Sequence, residues 1–239
     1  MPYYAIVEGR NPGVYDSDSD WKGEIIGYKH AVFKRFDSQI DALKYVTKGG
    51  KIENVFVDGS CRRDNSRSPA AGFGVYYGPG DASNTAMMLH SYIRATNVRA
   101  ELCAVLHALK NVHQSLLNET ATRPVRILSD SKTSVQSCNK WGNKWKKNGW
   151  KKSRGGTIRD VDLIKQVVTL KDLINSHYAS KGWHNIIVAH VNAHSGNLAN
   201  NEADRLASLG AAQAEIRILR KYNIGYPVMS TRSKDLKLL

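Results

Sequence analysis

The fold of this chain is indicated most clearly by the sequence VFVDGS at residues 55–60, in which Asp58 follows a run of β-branched and aromatic residues. Such a run predicts a buried strand, and the acid stands where that strand would end. Asp130 stands in the same way after VRILS at residues 125–129. Because strand patterns here are combined with helical ones, we expect a mixed sheet with helices on its faces and polar residues at the carboxyl ends of its strands.

Two further acids lie in helical patterns. Glu101 stands in RAEL at residues 99–102, and Asp204 stands in NEADRLA at residues 201–207. Each acid taken alone is most often a strand-end or helix-capping residue. Four carboxylates that converge repel each other unless a cation is present, and hard oxygen ligands select Mg²⁺ or Mn²⁺. Beside a basic surface, the set of four suggests phosphodiester chemistry with two metal ions.

The four acids in their contexts resemble the type 1 ribonuclease H family, whose members cleave the RNA strand of RNA–DNA hybrids. The resemblance covers residues 53 to about 210, and its most specific segments are FVDGS at 56–60, TNVRAE at 96–101, WKKNGW at 145–150, HSGN at 194–197 and NEADR at 201–205. It implies an α/β fold with a ribonuclease H-like mixed five-stranded sheet flanked by helices. It also implies an endoribonuclease that holds two Mg²⁺ ions, for which Mn²⁺ can substitute, and leaves 5′-phosphate and 3′-hydroxyl ends.

The resemblance assigns a role to each catalytic residue. Asp58 would bridge both metal ions, Asp204 would complete one ion site, and Glu101 with Asp130 would hold the other. Glu101 would also sense the 2′-hydroxyl that distinguishes RNA from DNA. His194, in a loop rich in glycine, serine and asparagine, would be a proton shuttle or an aid to product release. Alternatively, His194 is a loop residue that only forms local hydrogen bonds.

Residues 1–50 predict a small α/β unit ahead of the main sheet. Strand patterns at residues 4–7 and 31–36 are separated by a turn and by a short helix around Trp21, which Asp18 or Asp20 could cap. Ser38 begins a second helix, which the two glycines at residues 49–50 end. This pattern resembles the hybrid-binding domain that precedes the catalytic domain in many type 1 ribonucleases H. A small stabilising subdomain is the alternative.

The resemblance implies that Tyr4, Trp21, Lys34 and Arg35 contact the hybrid. Trp21 would replace the stacking tryptophan of the family, whose position is Asp18 in this chain. The unit holds seven Lys and Arg against seven Asp and Glu. The affinity of this unit for nucleic acid must therefore depend on where its individual cations lie and not on an overall positive potential.

The segment from residue 140 to residue 154 contains seven cations, three tryptophans and no acid. A core helix would bury too many of these charges, so the alternative is a solvated charged face. Interleaved aromatic rings and cations suit a sugar–phosphate backbone. The resemblance makes this segment the basic protrusion that holds the DNA strand, with Trp141 in the DNA channel and Trp145 and Trp150 packing the protrusion. From it, the lysines expected to contact nucleic acid are Lys144, Lys146 and Lys147.

A phosphate pocket is implied beside these elements. Arg94 and Thr96 match a family pocket for a DNA phosphate, and Asn97 matches a residue that contacts the minor groove of the hybrid. Asp160 stands where the family usually has asparagine, so it either turns away or weakens the pocket. Alternatively, Thr96 and Asn97 only form a polar helix N-terminus.

Composition bounds the partners and the compartment. The net charge of +14 and the pI near 9.7 favour a polyanionic partner, although a ribosomal or membrane-surface protein would fit equally. The three cysteines have no paired or metal-ligand spacing, which is typical of reduced thiols inside a cell. We expect an intracellular protein in the nucleus or cytoplasm, with a mitochondrial location left open. Neither a secretory signal nor an apolar stretch of ~20 residues is found, so no membrane association is expected.

These observations predict three parts: a hybrid-binding-like domain at residues 1–50, a ribonuclease H catalytic domain at 51–212 and a basic C-terminal extension at 213–239. A monomer is expected, and the sequence identifies no protein partner. Two other hypotheses remain, a hybrid-binding protein without catalysis and a ribonuclease H derived from a retroelement. The complete set of acids argues against the first, and the N-terminal unit argues against the second.

Overall fold

The computed structural model describes residues 2–62, 68–90, 94–153, 155–193 and 196–221. The strands in these ranges are β1 (Tyr3–Glu8), β2 (Gly13–Tyr15), β3 (Val32–Phe36), β4 (Glu53–Arg62), β5 (Ala70–Tyr76), β6 (Thr85–Met88), β7 (Val125–Ser129) and β8 (Ile187–His190). The helices are α1 (Asp18–Ile25), α2 (Gln39–Lys48), α3 (Asn97–Leu117), α4 (Lys132–Gln136), α5 (Gly142–Lys147), α6 (Val161–Ser180) and α7 (Leu198–Lys221). A π-helical turn at Ser137–Trp141 joins α4 to α5.

The main sheet has five strands in the order β6-β5-β4-β7-β8. The central strand β4 is antiparallel to β5 and parallel to β7, and β8 extends the parallel half. This confirms the predicted mixed sheet.

Asp58 lies inside β4 and not at its end, which differs from the sequence-based expectation. The parallel ladder with β7 stops at Val57, which pairs with Ser129. The antiparallel ladder with β5 continues to Arg62. An apolar run in the sequence does not show how far an antiparallel partner strand continues. The sequence therefore indicated only where the parallel ladder with β7 ends. Asp58 therefore occupies the first position of β4 beyond the carboxyl end of β7.

The two faces of the sheet bury different side chains, since successive residues of a strand point to opposite sides. Val55 and Val57 of β4 lie in the core cluster that α3 and α6 cover. Phe56, between them, lies in a second cluster with Ala203 and Leu206 of α7. By the same alternation, Asp58 is on the side of Phe56 and α7.

The N-terminal unit completes this second face. Its three-stranded sheet has the order β2-β1-β3, and α2 begins after Ser38, whose hydroxyl accepts a hydrogen bond from the backbone N–H of Asp41. Val14 and Leu43 of the unit share the second core cluster with Phe56 and with residues of β7 and α7. The N-terminal unit and the main sheet thus have one continuous core.

The last helix, α7, passes without a break through the predicted boundary between residues 212 and 213. Ala214 and Leu219 are buried on it, so helical structure continues past this boundary as far as Lys221. Residues 222–239 lie outside the described residues. Within the described ranges, none of the helices has the length and apolarity needed to cross a membrane.

Candidate active site

Three carboxylates converge where β4, α3 and the end of β7 meet. One oxygen from each of Asp58, Glu101 and Asp130 lies within 4.8 Å of the others. Asp58 and Glu101 are 6% and 3% exposed, and Asp130 is half-buried. The structure therefore brings together three of the four acids that the sequence singled out.

The approach of α3 to β4 depends on Gly59. A Cβ at residue 59 would lie 2.2 Å from the backbone nitrogen of Glu101, so a side chain there would force the two elements apart. The backbone N–H of Gly59 also lies near the carboxylates of Asp58 and Glu101 and acts to lower the pKa of each. The separation of the two acids is therefore set by the packing of the backbone of β4 against that of α3.

Burial and mutual repulsion oppose this stabilisation. Burial, followed by the charges of Asp130 and Asp204, raises the pKa of Asp58 to about 7. Burial and the charges of Asp58 and Asp130 also raise the pKa of Glu101 well above its usual range. In the part of the chain that the structure describes, no lysine or arginine forms a salt bridge with these three acids. A buried set of hard oxygen ligands without a basic partner fits a divalent cation.

Asp204 lies beside this cluster and not within it. Its side chain is exposed on α7, and its charge contributes to the raised pKa of Asp58. The proximity follows from Gly74, which pairs with Asp58 across the β4–β5 ladder. A Cβ at residue 74 would lie 2.2 Å from the carbonyl oxygen of Ala203, so α7 packs directly on the strand backbone next to Asp58.

Two polar residues that the sequence did not single out support the acids. Asn200 donates from Nδ2 to Asp130 Oδ2 at 3.1 Å, and Ser129 donates from Oγ to Glu101 Oε2 at 3.4 Å. Asn200 lies one helical turn before Asp204 on α7, and this i, i+4 spacing could have identified it. His194 lies outside the described residues.

The predicted hybrid-contacting residues of the N-terminal unit divide between two faces of its sheet. The rings of Tyr4 and Trp21 stack with centroids 4.3 Å apart, and Arg35 pairs with Tyr4 in the β1–β3 ladder. Lys34 points to the other side, where its ammonium lies 5.2 Å from the centre of the Phe36 ring. Tyr4, Trp21 and Arg35 thus form one surface, and Lys34 is separated from it.

The basic segment forms the π-helical turn, α5 and the residues that follow. Trp145 and Trp150 pack against the main core, and Trp141 is half-buried outside it. Lys144, Lys146 and Lys147 are all exposed, and Lys146 also forms a salt bridge with Asp172 of α6 at 2.6 Å.

A cavity of about 570 Å³ lies at the N-terminal ends of α3 and α6 and is lined by Arg94, Thr96, Arg99, Lys152, Thr157, Arg159 and Asp160. Asp160 lines the cavity, and its carboxylate, which is 9% exposed, accepts a hydrogen bond from Arg99 at 2.9 Å. Four cations nevertheless line the cavity with this one acid. Thr96 lines the cavity and also caps α3, where its hydroxyl accepts from the backbone N–H of Arg99, so its position fits both sequence-based interpretations. Asn97 is exposed at the first position of α3.

The mixed five-stranded sheet, with a buried carboxylate on its central strand, has the ribonuclease H fold. A family model described as RNase H matches residues 50–212, and a model described as the ribonuclease H1 N-terminal domain matches residues 2–46. The chain belongs to the ribonuclease H family, as the sequence motifs predicted.

Relatives support this assignment over different lengths. Human ribonuclease H1 is 36% identical over 175 residues, which cover 73% of this chain and 54% of the human protein, so the match spans about half of that relative. Mouse ribonuclease H1 is 33% identical over 274 aligned positions, which cover 89% of this chain and 90% of the mouse protein. Ribonuclease H of Schizosaccharomyces pombe is 26% identical over an alignment that covers 88% of this chain and 97% of that protein.

Solved structures agree on the fold. A foamy viral protease–reverse transcriptase in complex with an RNA/DNA hybrid superposes with a TM-score of 0.53 at 21% identity, covering 67% of this chain and 20% of that chain. The structure of the same kind of protein in complex with double-stranded DNA gives a TM-score of 0.50 at 22% identity. This match covers 67% of this chain and 94% of that chain.

Proposed function

We propose that the protein is a metal-dependent endoribonuclease that hydrolyses the RNA strand of RNA–DNA hybrids. The convergence of Asp58, Glu101 and Asp130 within 4.8 Å carries this proposal, because a non-catalytic binding protein has no need for such a costly cluster. Membership of the ribonuclease H family supports the same substrate. The matched N-terminal domain favours the arrangement of ribonuclease H1 over a retroelement origin.

The four acids would hold two Mg²⁺ ions, or Mn²⁺ in their place. Asp58 would contribute to both sites, Glu101 with Asp130 would complete one, and Asp204, exposed on α7, would complete the other. Bound in this way, the ions supply Lewis acidity to the attacking water and to the leaving 3′ oxygen. The protein itself fixes the carboxylate positions through Gly59, Ser129 and Asn200. The products carry 5′-phosphate and 3′-hydroxyl ends.

The hybrid would be gripped on both sides of the acids. The DNA strand runs along the basic segment at Trp141, and one of its phosphates enters the cavity between Arg94 and Thr96. Asn97, beside that cavity, contacts the minor groove, and Glu101 contacts the 2′-hydroxyl of the RNA. The surface of Tyr4, Trp21 and Arg35 provides a separate contact for the duplex.

His194 acts as a proton shuttle or aids product release, and its loss slows turnover without abolishing it. The chain acts as a monomer inside the cell, in the nucleus or cytoplasm or in the mitochondrion. For function, the chain divides into the three parts that the sequence predicts, at residues 1–50, 51–212 and 213–239.

The decisive experiment compares three end-labelled duplexes, RNA–DNA, RNA–RNA and DNA–DNA, incubated with the protein and Mg²⁺ and resolved on a denaturing gel. Cleavage of RNA only in the hybrid, abolished by EDTA, is the expected result. Tight binding of the hybrid without cleavage in Mg²⁺ or Mn²⁺ would instead identify a non-catalytic binding protein. Equal cleavage of double-stranded RNA would refute recognition of the hybrid.

A further inference from the structure

The segment that joins β8 to α7 leads from the sheet to the helix that carries Asp204, and the N-terminal unit contacts it directly. The backbone N–H of Asn192 donates to Asn11 Oδ1 at 3.0 Å. Asn11 is 7% exposed, and its amide is held in this orientation because Nδ2 donates to Glu24 Oε2 at 2.7 Å. An asparagine of the N-terminal unit is therefore built into the start of this segment.

A second contact is made at the other end of the segment. Asn197 is 1% exposed, and its Oδ1 accepts from the backbone N–H groups of Ala199 and Asn200 at the start of α7. Its Nδ2 donates to the carbonyl oxygen of Pro12 at 2.9 Å. One side chain thus caps α7 and ties that cap to the N-terminal unit.

The first turns of α7 connect the helix cap at Asn197 to the acids of the candidate active site. Asn200, which the cap holds, donates to Asp130 Oδ2, and Asp204 lies one turn further along the helix. A shift of the cap would therefore move groups on both sides of the carboxylate cluster.

Further contacts hold the N-terminal unit against the main sheet. Arg126 of β7 donates to the carbonyl oxygen of Val7 and to Glu8 Oε2 at 3.0 Å, and β7 leads directly to Asp130. The continuous core between Val14, Leu43 and the second face of the sheet adds to this attachment.

We propose that the N-terminal unit is a structural part of the active site, in which Asn11 and the carbonyl of Pro12 are positioning groups for the segment before α7. This role is separate from the contact that Tyr4, Trp21 and Arg35 make with the duplex. The proposal rests on the proposed nuclease function, since the acids it positions are those of that reaction.

The test uses the full-length chain and two variants that break one contact each. Asn11→Ala removes the acceptor for Asn192. Asn197→Asp keeps an oxygen that caps α7 and replaces the amide donor to Pro12 with a carboxylate oxygen. Ser38→Ala is the matched control, because it removes a helix cap in the same N-terminal unit without touching the segment before α7. The double variant Asn11→Asp/Glu24→Gln exchanges donor and acceptor between the two side chains and keeps an acceptor for Asn192.

Steady-state kinetics should show kcat lowered by about tenfold or more in Asn11→Ala and Asn197→Asp, with KM and hybrid affinity in Ca²⁺ within about twofold of wild type. The double variant should recover most of kcat, and Ser38→Ala should keep it. Amide hydrogen exchange of the peptide spanning residues 190–201 should rise in the first two variants and not in Ser38→Ala.

Unchanged kcat and unchanged exchange in both variants, or an equal loss of kcat in Ser38→Ala, would overturn the positioning role while leaving the nuclease intact. An inactive wild-type protein would refute the nuclease function, and the exchange measurement would then still decide whether the N-terminal unit holds the segment.

Discussion

Gly59 lies against the backbone nitrogen of Glu101, so closely that a Cβ on residue 59 would be 2.2 Å from that atom. Two of the candidate metal-binding acids take part in or adjoin this contact, since Asp58 precedes Gly59 in the chain. The separation of Asp58 and Glu101 is consequently set by backbone packing, and rotation of the side chains cannot restore it if β4 and α3 move apart.

Gly59→Ala is therefore expected to lower kcat by about 10²-fold, because a displacement near 1 Å is enough to misplace catalytic groups. Gly23→Ala is the control, since a Cβ at residue 23 meets nothing within 4 Å. Single-turnover cleavage of a labelled hybrid measures the effect. Equal rates in the two variants would show that the site tolerates a wider spacing.

Asp58→Asn should reduce cleavage by about 10³-fold or more, which corresponds to at least about 4 kcal/mol of barrier height. Removing this charge also relieves repulsion with Glu101 and Asp130, so the metal-free variant should melt at a higher temperature than metal-free wild type. Mg²⁺ should raise the Tm of wild type and have little effect on the variant. Asp41→Asn, an exposed acid on α2, is the control. A metal response that survives in Asp58→Asn would contradict the ligand assignment.

The sequence predicted the fold and the converging acids because both depend on short local patterns. The strand before Asp58 and the helix after Glu101 are encoded in alternation and helical spacing. The N-cap of α1 is Ser17, whereas Asp18 or Asp20 was expected, and such one-residue differences are common at helix ends. The sequence could not show the contacts of Asn11 with Asn192 or of Asn197 with Pro12, because these join residues more than 180 positions apart. The opposite orientation of Lys34 and Arg35, by contrast, follows from the alternation of side chains along the predicted strand.

Asp160→Asn should strengthen hybrid binding about fivefold, or roughly 1 kcal/mol, by removing the acid from a cavity lined by four cations. Arg99 keeps Asp162 as its partner in this variant, so the fold should be retained. Arg94→Ala should have the opposite effect and reduce the salt slope of binding by about one unit. Binding isotherms in Ca²⁺ at several salt concentrations provide the comparison, and weaker binding by Asp160→Asn would exclude this cavity as a phosphate site.

Lysines of the basic segment should differ in their contribution to binding. Lys144→Ala with Lys147→Ala should flatten the salt slope by up to roughly two units, if both side chains reach phosphates. Lys146→Ala should change it less, because Lys146 is already paired with Asp172. The same isotherms test this order. A larger slope change from Lys146 than from the exposed pair would mean that the salt bridge opens when the hybrid binds.

The continuous core predicts that the N-terminal unit and the catalytic part unfold together. Leu43, on α2, is 6% exposed and lies in the cluster that also contains Phe56 and Leu128 of the main sheet. Leu43→Ala should lower the free energy of unfolding by about 2–5 kcal/mol, and it should do so for the whole described chain.

Four of the five tryptophans lie after residue 140, so fluorescence mainly reports the catalytic part. The fluorescence midpoint in urea should shift together with the far-UV circular dichroism midpoint, whereas Ile40→Ala, at a residue on the same helix that is 56% exposed, should shift neither. A fluorescence midpoint that stays in place while a second transition appears by circular dichroism would show that the two parts fold independently, and the N-terminal unit could then not hold the segment before α7 in place.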